Sequence, residues 1–291
     1  MSGVEPLAIA AGLVADAGLK ATALFVVGGA AAQLLRGGSA AQRHAVWTAT
    51  FASLPLLVVS TLQRSSTLAL DLPWLAPVWL CGAVLGSLPL LRGLVSLRRL
   101  RRGARPHPHA EDLLYSDELT GPLTFGFVRP IILLPSAATG WDPVRLQAAI
   151  NHERAHVARR DWAVHIAVWA VCVLFWFHPL AWLARRSLAQ EAEHAADDAA
   201  LAEGVRPSDY AGLLVSLTAP PVYRGALGAG SSMVANRVRA VLDSRSRSPR
   251  RGMVLAAALA LCASVSAAAA PLPLWSPPPA SSLTCTLGPN G

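Results

Sequence analysis

His152-Glu153-Arg154-Ala155-His156 forms an H-E-x-x-H, and its spacing is where chemistry enters this chain. On an α-helix residues i and i+4 stand one turn apart on the same face, so both imidazoles can address one metal ion. Glu153, beside them, can take a proton from a water on that ion. The pattern predicts zinc-dependent hydrolysis. A catalytic zinc takes three protein ligands and leaves a fourth position for water, so a third donor must come from elsewhere.

The segment Gln190-Glu191-Ala192-Glu193-His194-Ala195-Ala196-Asp197-Asp198 offers that donor. Glu193 is the candidate third ligand, and Asp197, one turn on, is the candidate acceptor for the free N–H of a ligating imidazole. Glu191 competes with Glu193, and His194 is a weaker rival. Glu191 lies two residues away, about 200° around a helix, so only one of the two glutamates can face the metal. Read alone, the acidic cluster fits an ordinary solvated face of an amphipathic helix better than a ligand set, and it is the preceding H-E-x-x-H that reverses this.

The elements that must carry these residues are partly legible. Asp142-Pro143 supplies an N-cap and an N1 proline, and 144–160 contains neither Gly nor Pro, which predicts a helix ending near Arg159 and Arg160. The largely apolar run 162–183 is long enough for a membrane span. Phe177-His178-Pro179 interrupts it, however, and a full crossing would strand the acidic cluster across the bilayer from His152 and His156. A helical hairpin that doubles back is predicted instead. Ahead of the metal helix, 121–128 and 129–135 hold two short β-type runs broken by Gly and Pro, which predicts a small β-hairpin. Its edge could pair with an extended substrate, or it could simply pack under the helix.

Composition sets the scene for these elements. With 53% apolar residues, 14% charged residues and a formal charge of +8, the chain reads as a membrane protein. The arginines fall in clusters, Arg98, Arg99, Arg101, Arg102 and Arg105 after one apolar run and Arg245, Arg247, Arg250 and Arg251 before another. Such clusters act as topology signals, so no direct nucleic-acid binding is expected. Cys81, Cys172 and Cys262 sit in apolar runs and Cys285 in a polar tail, which excludes a disulfide framework and a C-x-x-C metal pair. The first basic residue is Lys20, four residues from Asp16, so an uncleaved first span is expected rather than a signal peptide.

The resulting expectation is a mainly α, multi-pass protein. Spans at about 7–35, 45–62 and 72–97 occupy 1–97, a soluble-facing domain occupies 98–252, a fourth span lies at 253–274, and a disordered tail follows at 275–291. The basic excess puts the domain in the cytoplasm and both termini outside.

The sequence resembles the membrane-integral antirepressor metallopeptidases of the BlaR/MecR type. The matching residues are Arg43-His44-Ala45-Val46-Trp47, Gly126, Arg129 to Pro135, His152 to His156 running to Arg160-Asp161, Trp176 to Trp182, Glu193 to Asp198, Tyr210-Ala211 and Arg237-Val238. The resemblance implies a gluzincin-like zinc metallopeptidase domain in a bacterial plasma membrane, with Zn2+ held by His152, His156 and Glu193 and with Glu153 as catalytic acid/base. Ala196 stands where the family usually has Cys before the paired aspartates, at a position that is not a ligand. The best-known members also carry a β-lactam sensor with an S-x-x-K motif. The single lysine here, Lys20, follows Ala17 by three residues, so no such motif is present in this sequence.

By the same resemblance the protein substrate is a cytoplasmic transcriptional repressor of the winged-helix type, or the chain itself. The connector 244–251 is the candidate self-cleavage site, although a plain positive-inside anchor is the stronger reading of its arginines. Two other readings stay open: a housekeeping membrane zinc protease of the HtpX or CAAX sort, and a catalytically inert signalling scaffold. No oxyanion donor is assignable; His165, His178, His194 and Tyr210 are the candidates.

Overall fold

The computed structural model describes residues 4–63, 74–108, 110–217 and 227–243. The expected span at 253–274, the connector 244–251 and the tail 275–291 lie outside these residues. Within them the chain is mainly helical with one small sheet: α1 Val4–Leu34, α2 Ala40–Gln63, α3 Leu75–Gly103, β1 Arg105–His107, β2 Ala110–Ser116, β3 Leu123–Phe125, β4 Ile131–Pro135, α4 Pro143–Arg159, α5 Asp161–Leu174, α6 Pro179–Ala202, α7 Pro207–Ser216 and α8 Leu227–Leu242.

Two of the described helices are long and apolar enough to cross a membrane, Asp16–Leu34 within α1 and Leu75–Gly103, which is α3. No residue of α3 is buried, and Leu80, Val84, Leu85 and Leu91 are all more than half exposed, as a lipid-facing helix requires. The expected second span is a helix with a buried polar start. α2 carries Gln42, Arg43 and His44 at its start and buries all three, together with Phe51, Leu54 and Leu57, in a core shared with α1, α5 and α6. It is an inner helix of a bundle, and the four-span count is not seen among the described residues.

The run 162–183 folds back. α5 ends at Leu174, the His178 N–H donates to the Phe175 carbonyl (2.8 Å), and Pro179 opens α6 at its first turn. Proline has no N–H to lose there, and its ring disfavours helical geometry at His178, which is extended (φ −98°, ψ 105°). The hairpin tip lies deep among the apolar helices. His178 Nε2 is 2.9 Å from Thr22 Oγ1 of α1, and the Trp176 indole sits on Gly82 of α3. Three indole N–H groups tie this contact to backbone: Trp79 donates to Leu174, Trp176 to Trp79 and Trp169 to Gly86. A Cβ at Gly82 would overlap the Trp176 ring. Gly82→Ala is therefore expected to destabilise the protein by about 1–3 kcal/mol, read as a lowered thermal midpoint in detergent. An unchanged melt would show that the hairpin does not dock this closely on α3.

The expected hairpin at 121–135 is present as the antiparallel pair β3 and β4, part of a larger sheet of order β1-β2-β4-β3. β2 runs parallel to β4, pairing Leu113 with Ile132 through Ser116 with Pro135. β3 is left at the edge. Leu113, Ile132 and Leu134 form a small core with Ile150 of α4, so the sheet seats the metal-motif helix from one side. From the other side, Ala148 and Ala149 pack against Leu201, Tyr210, Leu213, Leu214 and Val241 of α6, α7 and α8.

Candidate metal centre

α4 begins as its sequence predicts: the Asp142 carboxylate accepts from the Arg145 N–H (2.9 Å) and Pro143 occupies the first turn. It ends at Arg160, whose left-handed backbone (φ 56°, ψ 37°) is the only positive φ outside glycine among the described residues. That break starts α5 at once, and it swings Asp161 back towards the last turn of α4. The Asp161 carboxylate then lies 2.6 Å from His156 Nδ1.

His152, His156 and Glu193 converge. Nε2 of His152 is 3.2 Å from Nε2 of His156, Glu193 Oε2 is 3.6 Å from the first, and Oε1 is 3.7 Å from the second. Donors held about 2.0–2.2 Å from one tetrahedral ion lie roughly 3.3–3.6 Å apart, so this donor set fits zinc. The back faces of the rings agree. His156 Nδ1 donates to Asp161, and His152 Nδ1 faces both the Tyr210 hydroxyl (2.9 Å) and Asp197 Oδ1 (3.2 Å). With protons on both Nδ1 atoms, two Nε2 lone pairs confront each other at 3.2 Å, an arrangement that requires a cation or a proton between them.

A buried charge network backs the three donors. Asp197, 1% exposed, accepts from Tyr210 (2.9 Å) and from Arg237 of α8 (2.9 and 2.6 Å), and Arg237 also reaches Glu193 Oε2 at 2.8 Å. Arg159 joins Asp161 (2.6 Å) to the Ala192 carbonyl of α6 (2.9 Å), which ties α4 to the helix that carries Glu193. Burial opposes a charged His152, yet hydrogen bonds to Asp197 and Glu193 outweigh it and raise its pKa to about 9. Burial likewise opposes an ionised Glu193, and His152 with Arg237 overcomes it, holding the carboxyl at about 2. Asp197 is held well below the usual carboxylate range for the same reasons, and burial with Asp197 beside it pushes the Tyr210 phenol up.

These shifts have a sign that can be measured. In the metal-free protein His152 keeps its extra proton up to about pH 9, whereas Glu193 is ionised throughout. A metal must displace that one proton, so its apparent affinity is expected to rise roughly tenfold per pH unit from pH 7 towards 9 and then level off. Calorimetric titrations at pH 7 and pH 8 giving equal affinity would contradict this.

Glu153, 6% exposed, sits beside the three donors and accepts from Thr124 Oγ1 of β3 at 2.5 Å. A cavity of about 460 Å³ opens over these residues. Leu188, Leu213, Leu214, Leu217 and Val234 supply apolar lining, and Leu123 and Thr124 of the edge strand line it as well.

The rival residues are elsewhere. Glu191 points away from the centre and accepts from Arg43 (2.8 Å), as its angular offset from Glu193 demands. Of the four oxyanion candidates, His178 is at the hairpin tip on Thr22, and the Tyr210 hydroxyl is engaged behind His152. Only His165 and Tyr210 line the cavity. In the sequence Thr124 carries no signal for its place at the centre, Arg159 reads only as the end of α4, and Asp161 and Arg237 are named only within the resemblance. Asp161 had a local signal, an acid just past the end of the metal helix. Arg237 had none, being 40 residues from its partner Asp197.

A family model described as BlaR1 peptidase M56 matches residues 63–239, more than half of the chain. The chain is also 22% identical over 159 residues to the Regulatory protein BlaR1 of Bacillus licheniformis. That match covers 48% of this chain and 26% of the relative, so the chain spans about a quarter of the length of the protein it resembles.

Proposed function

The chain belongs to the BlaR1 peptidase M56 family, and from that premise we propose that it is a membrane-bound zinc endopeptidase of a signalling system. Its substrate is a cytoplasmic transcriptional repressor of the winged-helix type, or the chain itself. The observation that carries the reading is the meeting of His152, His156 and Glu193, whose ligand atoms all lie within 4.8 Å of one another, beside the carboxylate of Glu153.

When bound by those three residues, zinc supplies a water acidified towards neutral pH and a Lewis acid for the scissile carbonyl. Glu153 accepts the water's proton and later delivers it to the leaving amine. Thr124 donates to one oxygen of Glu153 and so holds the carboxylate at the cavity wall. Asp161 and the pair Tyr210 and Asp197 keep the Nδ1 protons in place, so that each imidazole presents Nε2 to the metal. The unpaired outer edge of β3 offers N–H and C=O groups to an extended peptide laid across the cavity.

We place α1, α2, α3 and the segment 253–274 in the bacterial plasma membrane with the site at its cytoplasmic face. The arginines that close α3, Arg98, Arg99, Arg101 and Arg102, directly precede the sheet, and that supports the orientation. Mapping newly formed protein N-termini in cells with and without the chain tests the substrate. The expected outcome is cleavage confined to a DNA-binding repressor, with or without the chain's own connector. A broad set of cleaved membrane proteins would favour a housekeeping protease, and no chain-dependent cleavage would overturn the enzymatic reading.

A further inference from the structure

Arg43, at the start of α2, is only 7% exposed, and its guanidinium bonds through two of its nitrogens to the α1–α2 turn and to α6. One terminal nitrogen donates to the carbonyls of Leu35 (3.3 Å), Arg36 (3.4 Å) and Gly38 (2.8 Å), which gathers up the turn between α1 and α2. Its Nε donates to Glu191 Oε1 of α6 at 2.8 Å. The same turn is stiffened by a reciprocal cap, in which Gln42 Oε1 accepts from the Ser39 N–H (3.0 Å) and Ser39 Oγ from the Gln42 N–H (3.4 Å). Arg43 is thus a rigidly mounted cation, and its side-chain partner among the described residues is Glu191.

Glu191 precedes Glu193 by two residues, so the two carboxylates project from nearly opposite sides of α6. A bond that pins one side of a helix sets the angular position of the other. A rotation of α6 by one residue, about 100°, would release Glu191 from Arg43 and carry Glu193 away from His152 and His156. The next residue of α2 meets the other arm of the site. His44, 6% exposed, lies with Nε2 3.6 Å from Asp161 Oδ1, and the second oxygen of Asp161 faces His156.

We propose that Arg43 is a positioning residue for the metal centre: through Glu191 it sets the rotation of α6 that presents Glu193, so the α1–α2 turn of the membrane bundle controls how well the third ligand is placed. This rests on the reading of His152, His156 and Glu193 as the metal ligands. Movement of α1 against α2 alters the metal site without touching it.

The test is titration of the metal-stripped full chain, in lipid nanodiscs, with Co2+ as a spectroscopic probe and Zn2+ in competition. Glu191→Ala and Arg43→Gln are each expected to weaken metal binding about 10–100-fold and to change the cobalt visible bands. The double variant is expected to be no worse than either single one, because all three remove the bond between Arg43 Nε and Glu191 Oε1. A Glu191→Ala protein with the wild-type cobalt spectrum and an affinity within about twofold of wild type overturns the proposal, even if its thermal midpoint falls. Should Arg43→Gln fail to fold, Glu191→Ala decides alone, since it leaves the three carbonyl bonds of Arg43 in place. A wild-type chain that takes up no stoichiometric cobalt overturns the ligand reading and this proposal together, whereas metal binding indifferent to Glu191 removes only the bracing.

Discussion

Glu153→Gln is expected to slow peptide-bond hydrolysis about 10²–10⁴-fold while the purified protein keeps its full complement of metal. The side chain is 6% exposed in the helix that carries His152 and His156, and it is not among the three converging donors. The amide has nearly the shape of the carboxylate and can still accept from Thr124 Oγ1, so the fold and the ligand set should stay as they are. What disappears is a carboxylate beside the three donors that can take a proton from water and return it to the amine. The measurements are metal content by mass spectrometry and the rate of substrate cleavage, made on the same preparation. Full cleavage with metal bound would take the acid/base role away from Glu153. Loss of both metal and cleavage would show that its part is structural.

Asp197→Ala carries the next largest effect. This carboxylate is 1% exposed and joins Tyr210 and Arg237 while facing His152 Nδ1. Removing one partner of a buried ion pair leaves an uncompensated charge, here Arg237, at a cost of about 3–5 kcal/mol. Arg237 retains Glu193 at 2.8 Å, which places the expected cost at the lower end, and the thermal midpoint of the metal-free protein should fall by roughly 6 °C or more. The sign with pH follows from the depressed carboxyl of Asp197. Its contribution is present above the ordinary carboxylate range and fades as the pH drops through that range towards the lower folded value. The wild type and the Asp197→Ala protein should therefore melt far apart at neutral pH and draw together in strong acid. Equal midpoints at pH 7 would show that the network is not holding the fold. Metal affinity is expected to drop about 10–100-fold as well, because His152 loses an acceptor that fixes its ring.

Much of the local structure was legible because it depends on near neighbours. The start of α4 follows from Asp142-Pro143, the break in 162–183 from His178-Pro179, and the opposite facing of Glu191 and Glu193 from 100° per residue. The sheet was only half legible. β3 and β4 are joined by a short connection through Gly126 (φ 118°), whereas β2 pairs with β4 in parallel, which needs a crossover that no short-range signal announces. β2 also carries Glu111 and Asp112 at its exposed end, which hides a strand whose buried residues are Leu113 and Ser116. The apolar length of α2 is legible at 45–62, but the burial of the polar residues just before it is not, because that depends on α6 offering Glu191 to Arg43. Nothing near residue 43 in the chain reports that partner, 148 residues away.

What the amino-acid order determined unaided was angular: two imidazoles on one face of one helix, and a choice between two glutamates on another. Helical geometry repeats every few residues and needs no distant contact, so spacing suffices for both. Which face of α6 turns towards α4, which acid stands behind each imidazole, and which arginine neutralises the cluster were decided only when the helices packed. Those relations join Arg43 to Glu191, His156 to Asp161 and Asp197 to Arg237. The first and last span many turns of chain, and the second depends on the left-handed break at Arg160, a conformation that the surrounding fold imposes on a residue that would not adopt it alone.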